Sequence, residues 1–80
     1  MVERRTNPRH RTFKGGSISF VGAGGIECIV RNLSPAGACL DVASPLAIPD
    51  EFDLVIRPEY QRRRCHLIWR KAKRIGVNFV

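Results

Sequence analysis

No apolar run in the sequence approaches the roughly 20 residues that a membrane-spanning helix needs, so no insertion into a bilayer is expected. A charged-then-apolar leader is also missing from the first residues, which makes a cytoplasmic location the expectation. The chain has only 3 cysteines, an odd number with no paired spacing, and this argues against a disulfide framework. Without a Cys-x-x-Cys or His-x-x-x-His spacing, a metal site has no support either. Acidic residues are scarce, 7 against 14 Lys and Arg, for a net charge of +7. Such an excess points to an anionic partner. Eighty residues leave room for one small domain with a thin core, so a closed and regular fold is expected.

The charge is unevenly placed. Arg4, Arg5, Arg9, Arg11 and Lys14 crowd the first fourteen positions against Glu3 alone, while residues 15–56 are net acidic. The basic character returns from Arg57 onward and includes the run Arg62-Arg63-Arg64. If the fold brings the two ends together they form one positive surface; otherwise these side chains serve solubility.

The dominant hydrophobic period is two, that of a strand with one buried face. Ile18 and Phe20 share a face, and Gly22-Ala23-Gly24-Gly25 reads as a hairpin turn. Ile26, Cys28 and Val30 alternate with Glu27, Ile29 and Arg31, Ala38, Leu40 and Val42 with Cys39 and Asp41, then Phe52, Leu54 and Ile56 with Asp53, Val55 and Arg57. Cys65, Leu67 and Trp69 form the next such set, followed by Ile75, Val77 and Phe79. The stretch from Ser44 to Asp50 is too broken by proline for regular structure. Six short amphipathic strands without a helix predict an all-β, six-stranded antiparallel barrel, closed so that no edge is exposed.

Catalysis finds little support. His10 and His66 lie in no nucleophile–base pattern, and the adjacent Cys65 and His66 point to opposite faces of a strand. Cys28 and Cys65 fall on core faces and Cys39 does not; structural roles are expected for all three. The chain does not read as an enzyme.

Two segments depart from plain barrel chemistry. In Arg4-Arg5-Thr6-Asn7-Pro8-Arg9, Pro8 prevents a helix, leaving an extended arm whose guanidinium forks suit phosphate oxygens or the acceptor edge of guanine. In Asn32-Leu33-Ser34-Pro35-Ala36-Gly37, Pro35 and Gly37 fit a tight type I turn that offers short polar groups beside backbone amides.

In this order and at this separation the two segments resemble the motifs of the PilZ domain family of cyclic-di-GMP receptors. Arg5 and Arg9 match that family's RxxxR motif, Arg4 matches an additional preceding arginine, and Asn32, Ser34 and Gly37 match [D/N]xSxxG. Leu67-Ile68-Trp69 and Arg74-Ile75-Gly76-Val77-Asn78-Phe79 are similar to the family's closing strands. The likeness extends from Arg4 to Phe79. It implies a PilZ-type barrel over residues 11–80 and a flexible basic arm over residues 1–10; with the sequence stopping at Val80, the C-terminal helix of many relatives is expected to be absent. On this length the chain is expected to be a stand-alone PilZ protein.

The resemblance implies cyclic-di-GMP as the ligand, held by Arg4, Arg5, Arg9, Asn32, Ser34 and Gly37, with no other cofactor. Gly37 would leave room for a base. Trp69 is a further candidate, although its alternation with Cys65 and Leu67 favours the core. The arm is expected to be mobile without ligand and to order on binding, signalling to a downstream protein. Arg4 implies a stacked pair of ligands. Two other readings are a small basic barrel that binds nucleic acid and a PilZ-like adaptor that binds no nucleotide. Against the first, Phe13, Phe20, Phe52 and Phe79 lie mostly on core faces, whereas stacking platforms need exposed rings.

Overall fold

The computed structural model of the chain describes residues 10–80. They form six strands: β1 (His10–Phe20), β2 (Ala23–Leu33), β3 (Gly37–Val42), β4 (Glu51–Ile56), β5 (Gln61–Lys71) and β6 (Arg74–Phe79). Every neighbouring pair is antiparallel, and the order β1-β2-β3-β6-β5-β4 closes on itself through β1 and β4. A single 3-10 turn, Pro45–Ala47, interrupts the proline-rich link between β3 and β4. Among the described residues there is no α-helix, and no helix long and apolar enough to cross a membrane.

The alternating apolar sets point inward as their spacing requires. Ile18, Val30, Leu40, Phe52, Leu54 and Ile75 are fully buried, and Cys28, Val42, Ile56, Cys65, Leu67 and Val77 complete the inner face. Ile48, from the loop after the 3-10 turn, is also buried in this core. Each fully buried aliphatic or aromatic side chain contributes about 1.5–3 kcal/mol relative to exposure, so this face holds the barrel together.

Two local expectations are corrected. The β1–β2 turn consists of Val21 and Gly22, with Gly22 at φ +88°, and not of residues 22–25. Phe20 pairs with Ala23, so the remaining glycines lie within β2, where Gly24 and Gly25 together oppose Ser19 as a bulge. Glycine-rich sequence reads equally as a turn or as a bulged strand, and pairing decides between them. Phe13, assigned to the core, is instead 59% exposed. It sits where two residues of β1, Thr12 and Phe13, oppose the single Arg31, and its φ of +53° turns the ring out of the alternation.

Candidate functional site

A row of paired residues crosses the outer face of the barrel. Asn32 of β2 pairs with Cys39 of β3, Cys39 with Gly76 of β6, and Gly76 with Trp69 of β5. Their chain neighbours Ala38, Leu40, Ile75 and Val77 all pack into the core, so the row itself faces outward.

Trp69 reaches this row by a bulge, which overturns its expected place in the core. Leu67 pairs with Val77 and Trp69 with Gly76, leaving Ile68 as an extra residue in β5. The extra residue reverses the alternation, so Leu67 stays buried while Trp69 is 42% exposed. The indole then lies over Gly76: a Cβ there would come 2.2 Å from Trp69 Nε1. Only glycine lets the ring lie this close to the strand.

The turn after β2 is organised by Ser34. Its amide donates to the Gly37 carbonyl at 2.9 Å, and the return bond, from the Gly37 amide, goes to the Ser34 hydroxyl oxygen at 3.3 Å. The Ala36 carbonyl accepts from the Phe79 amide at 2.8 Å, tying the turn to β6. Gly37 was expected to leave room for a base, but backbone fills that room. A Cβ at Gly37 would stand 2.1 Å from the Val77 carbonyl oxygen, so glycine is needed for β3 to pair with β6.

Asn32, Ser34, Gly37, Cys39, Trp69 and Asn78 line one concavity of about 270 Å³. The sequence motif supplied three of them; Cys39 and Asn78 follow only from strand register. At this size the hollow falls below the roughly 300–1,000 Å³ of sites that enclose a drug-sized ligand. The described barrel presents this hollow as one wall and does not by itself enclose such a ligand. His10 pairs with Leu33 and Arg11 with Asn32, so the chain enters β1 at the rim of this wall. Arg4, Arg5 and Arg9, with the mobile arm expected there, lie outside the described residues.

Other charges are engaged elsewhere. Asp41 accepts from Arg74 Nε at 2.8 Å and from Arg31 Nη1 at 3.1 Å. Burial pushes this carboxyl upward, but the hydrogen bonds from Arg74 and Arg31 outweigh it and hold the group below the ordinary carboxylate range. Arg31 also stands 4.8 Å from the centre of the Phe13 ring. The run at 62–64 does not build a free positive surface. Arg62 and Arg64 pair with Asp53 at 3.5 and 3.3 Å, and Arg63 lies over the Phe79 ring at 4.0 Å. Burial raises the Cys28 and Cys65 thiols to about 12, keeping them protonated and unreactive at neutral pH. Among the described residues no cluster of His, Cys, Asp and Glu could hold a metal ion.

A barrel of this topology, with a polar turn and an outward tryptophan on one rim, defines a small closed β-barrel domain. Residues 3–80 match the PilZ domain, and the chain belongs to the PilZ family, a family of cyclic-di-GMP receptors. A comparison with curated proteins finds no match.

Proposed function

We propose that this protein is a cyclic-di-GMP receptor that holds the dinucleotide between the arginines ahead of β1 and the outer wall formed by Asn32, Ser34 and Trp69. The observation that carries this reading is the convergence of Asn32 and Ser34 with Trp69 on one concavity at the rim where β1 begins. Each group suits the ligand. Asn32 presents a donor and an acceptor to a guanine edge or a phosphate, and the Ser34 hydroxyl, already accepting from the Gly37 amide, lines the same hollow. The half-exposed indole offers a face for a base, and base–aromatic stacking contributes about 1–3 kcal/mol. Arg5 and Arg9 supply bidentate forks for a ligand with two negative charges, with Arg4 as a third. The small described hollow leaves the other side of the ligand to that arm, which orders on binding and presents a new surface to a downstream protein.

Nucleic-acid binding is the weaker reading. No strand carries more than one of the exposed rings Phe13, Tyr60 and Trp69, which lie on β1, in the β4–β5 turn and on β5, and the arginines at 62–64 are occupied by Asp53, Glu51 and Phe79.

Calorimetric titration with cyclic-di-GMP, with GTP and a short RNA as controls, tests the assignment. Arg5→Ala and Arg9→Ala should each lower affinity for cyclic-di-GMP by about 1.5–3 kcal/mol, the scale of a hydrogen bond to a charged group. Replacing Arg62, Arg63 and Arg64 together should cost much less. Equal losses, or tighter binding of RNA, would instead support a diffuse electrostatic mode.

A further inference from the structure

A second and larger concavity, of about 910 Å³, adjoins the first, and among the described residues Trp69 is the one that lines both. It lies where β3 ends and the β5–β6 turn folds against it through the Val42 amide, which donates to the Lys73 carbonyl at 2.9 Å. Its lining includes the half-exposed Ile29 together with Val42, Ala43, Ala72 and the indole. Four cations, Arg57, Lys71, Lys73 and Arg74, stand around these apolar groups with two carboxylates, Glu27 and Asp41. Both carboxylates are already engaged, Glu27 by Arg57 at 2.6 Å and Asp41 by Arg74 at 2.8 Å. Lys71 and Lys73 are exposed and form no ion pair among the described residues. The surface thus has an apolar centre and an unanswered positive rim.

We propose that this concavity is the docking surface for an acidic segment of the downstream protein, one that places an apolar side chain against Ile29 and Trp69 and carboxylates beside Lys71 and Lys73. Charge complementarity selects such an occupant. A basic segment or a further nucleotide-free copy of this positively charged chain would meet like charge, and the apolar centre gives no hydrogen-bond pattern for a polar small molecule. The indole supplies the link to signalling, a consequence that rests on the receptor reading above. A base stacked on the exposed part of Trp69 restricts the same ring that the partner segment meets in the adjoining concavity, so the two binding events are coupled. Coupling of this kind is reciprocal.

The test uses a probe peptide with a central Phe-Leu pair flanked on both sides by glutamates, and its counterpart with lysines in place of the glutamates. Amide shifts in NMR titrations of the nucleotide-free protein should map to Ile29, Ala43 and residues 71–74 for the glutamate peptide only. The double variant K71E/K73E, altered at exposed positions, should lose at least about tenfold in affinity for the glutamate peptide and gain for the lysine peptide, as expected when opposite charges become like charges. Shifts confined to residues 62–64, no glutamate-peptide binding, or indifference to the charge reversal would overturn the docking surface. Saturation with cyclic-di-GMP should raise glutamate-peptide affinity about fivefold or more, the lower end of ordinary coupling energies. An unchanged affinity in protein shown by calorimetry to be nucleotide-loaded overturns the coupling. Failure to bind cyclic-di-GMP in the same calorimetry would overturn the receptor reading, while the nucleotide-free maps still decide the surface.

Discussion

The Trp69 indole occupies the space that a side chain at position 76 would fill, its Nε1 lying 2.2 Å from where a Cβ on Gly76 would stand. The two residues are paired across β5 and β6, so the glycine is what sets the height of the ring above the sheet.

Gly76→Ala should therefore push the indole away from the sheet while leaving the barrel closed, because position 76 needs no left-handed backbone angle. Tryptophan emission should shift to the red, and affinity for cyclic-di-GMP should fall by about 1–3 kcal/mol, the value of one base–aromatic stack. Trp69→Ala should cause a similar loss. Unchanged binding in both variants would remove Trp69 from the site.

The same pair shows how far the sequence could be read. Strand number, barrel class and most of the inner face follow from period-two alternation, since sets such as Ile26–Cys28–Val30 and Phe52–Leu54–Ile56 have no competing helical reading. What alternation cannot reveal is a bulge. Ile68 and Phe13 look like ordinary strand residues, yet each stands where two residues oppose one, and each changes which ring faces out. One signal for Trp69 was present: a bare glycine between Ile75 and Val77 marks a place where something approaches a strand closely. Ile48 carried no such signal, because a proline-broken loop gives no period from which burial could be inferred. At the site, Asn32 and Ser34 stand out by motif, whereas Cys39 and Asn78 join them only through the register of β3 against β2 and β6.

Gly37→Ala tests whether the last glycine of the Asn32–Gly37 motif serves the fold. The added Cβ would meet the Val77 carbonyl oxygen at 2.1 Å, and a backbone atom cannot turn aside as a side chain can. β3 and β6 must part locally, at a cost of about 1–3 kcal/mol on the scale of overpacked sites, and more if their pairing is lost. Chemical denaturation should show a lower midpoint. A midpoint equal to that of the parent, with nucleotide binding alone impaired, would assign this glycine to the ligand instead.

The buried thiols predict a particular response to alkali. Burial raises Cys28 and Cys65 from the ordinary 9.0 to about 12 in the folded protein. Their unfolded counterparts lose protons first, so the unfolded state binds fewer protons between these values and stability falls as pH rises. The contribution is complete below about pH 9, the value from which burial raises them, and is lost progressively up to about 12. Each thiol adds a slope of up to about 1.4 kcal/mol per pH unit across that window. Cys28→Ala should remove one proton's share of the slope relative to the parent. Equal slopes in the two proteins would show that Cys28 is not held protonated by burial.

Arg4 bears on how many ligands are held. A stacked pair of cyclic-di-GMP molecules brings four negative charges, two more than a single ligand, and exposes additional guanine edges. A third guanidinium can offset part of that charge and lie flat against a base, which neither Arg5 nor Arg9 can do while forking phosphate or a base edge. The hollow in the described wall, of about 270 Å³, is too small to enclose one such ligand, so most of one molecule or of a pair would lie outside it. Calorimetry on the unmodified protein should give two ligands per chain. Arg4→Leu should give one, with binding still measurable because Arg5, Arg9, Asn32 and Trp69 remain. Raising the salt concentration should weaken the two-ligand state more than the one-ligand state, since more charge is brought together in it. A count of one ligand per chain before any substitution would dismiss the pair and assign Arg4 to the solvent, leaving the single-ligand site intact.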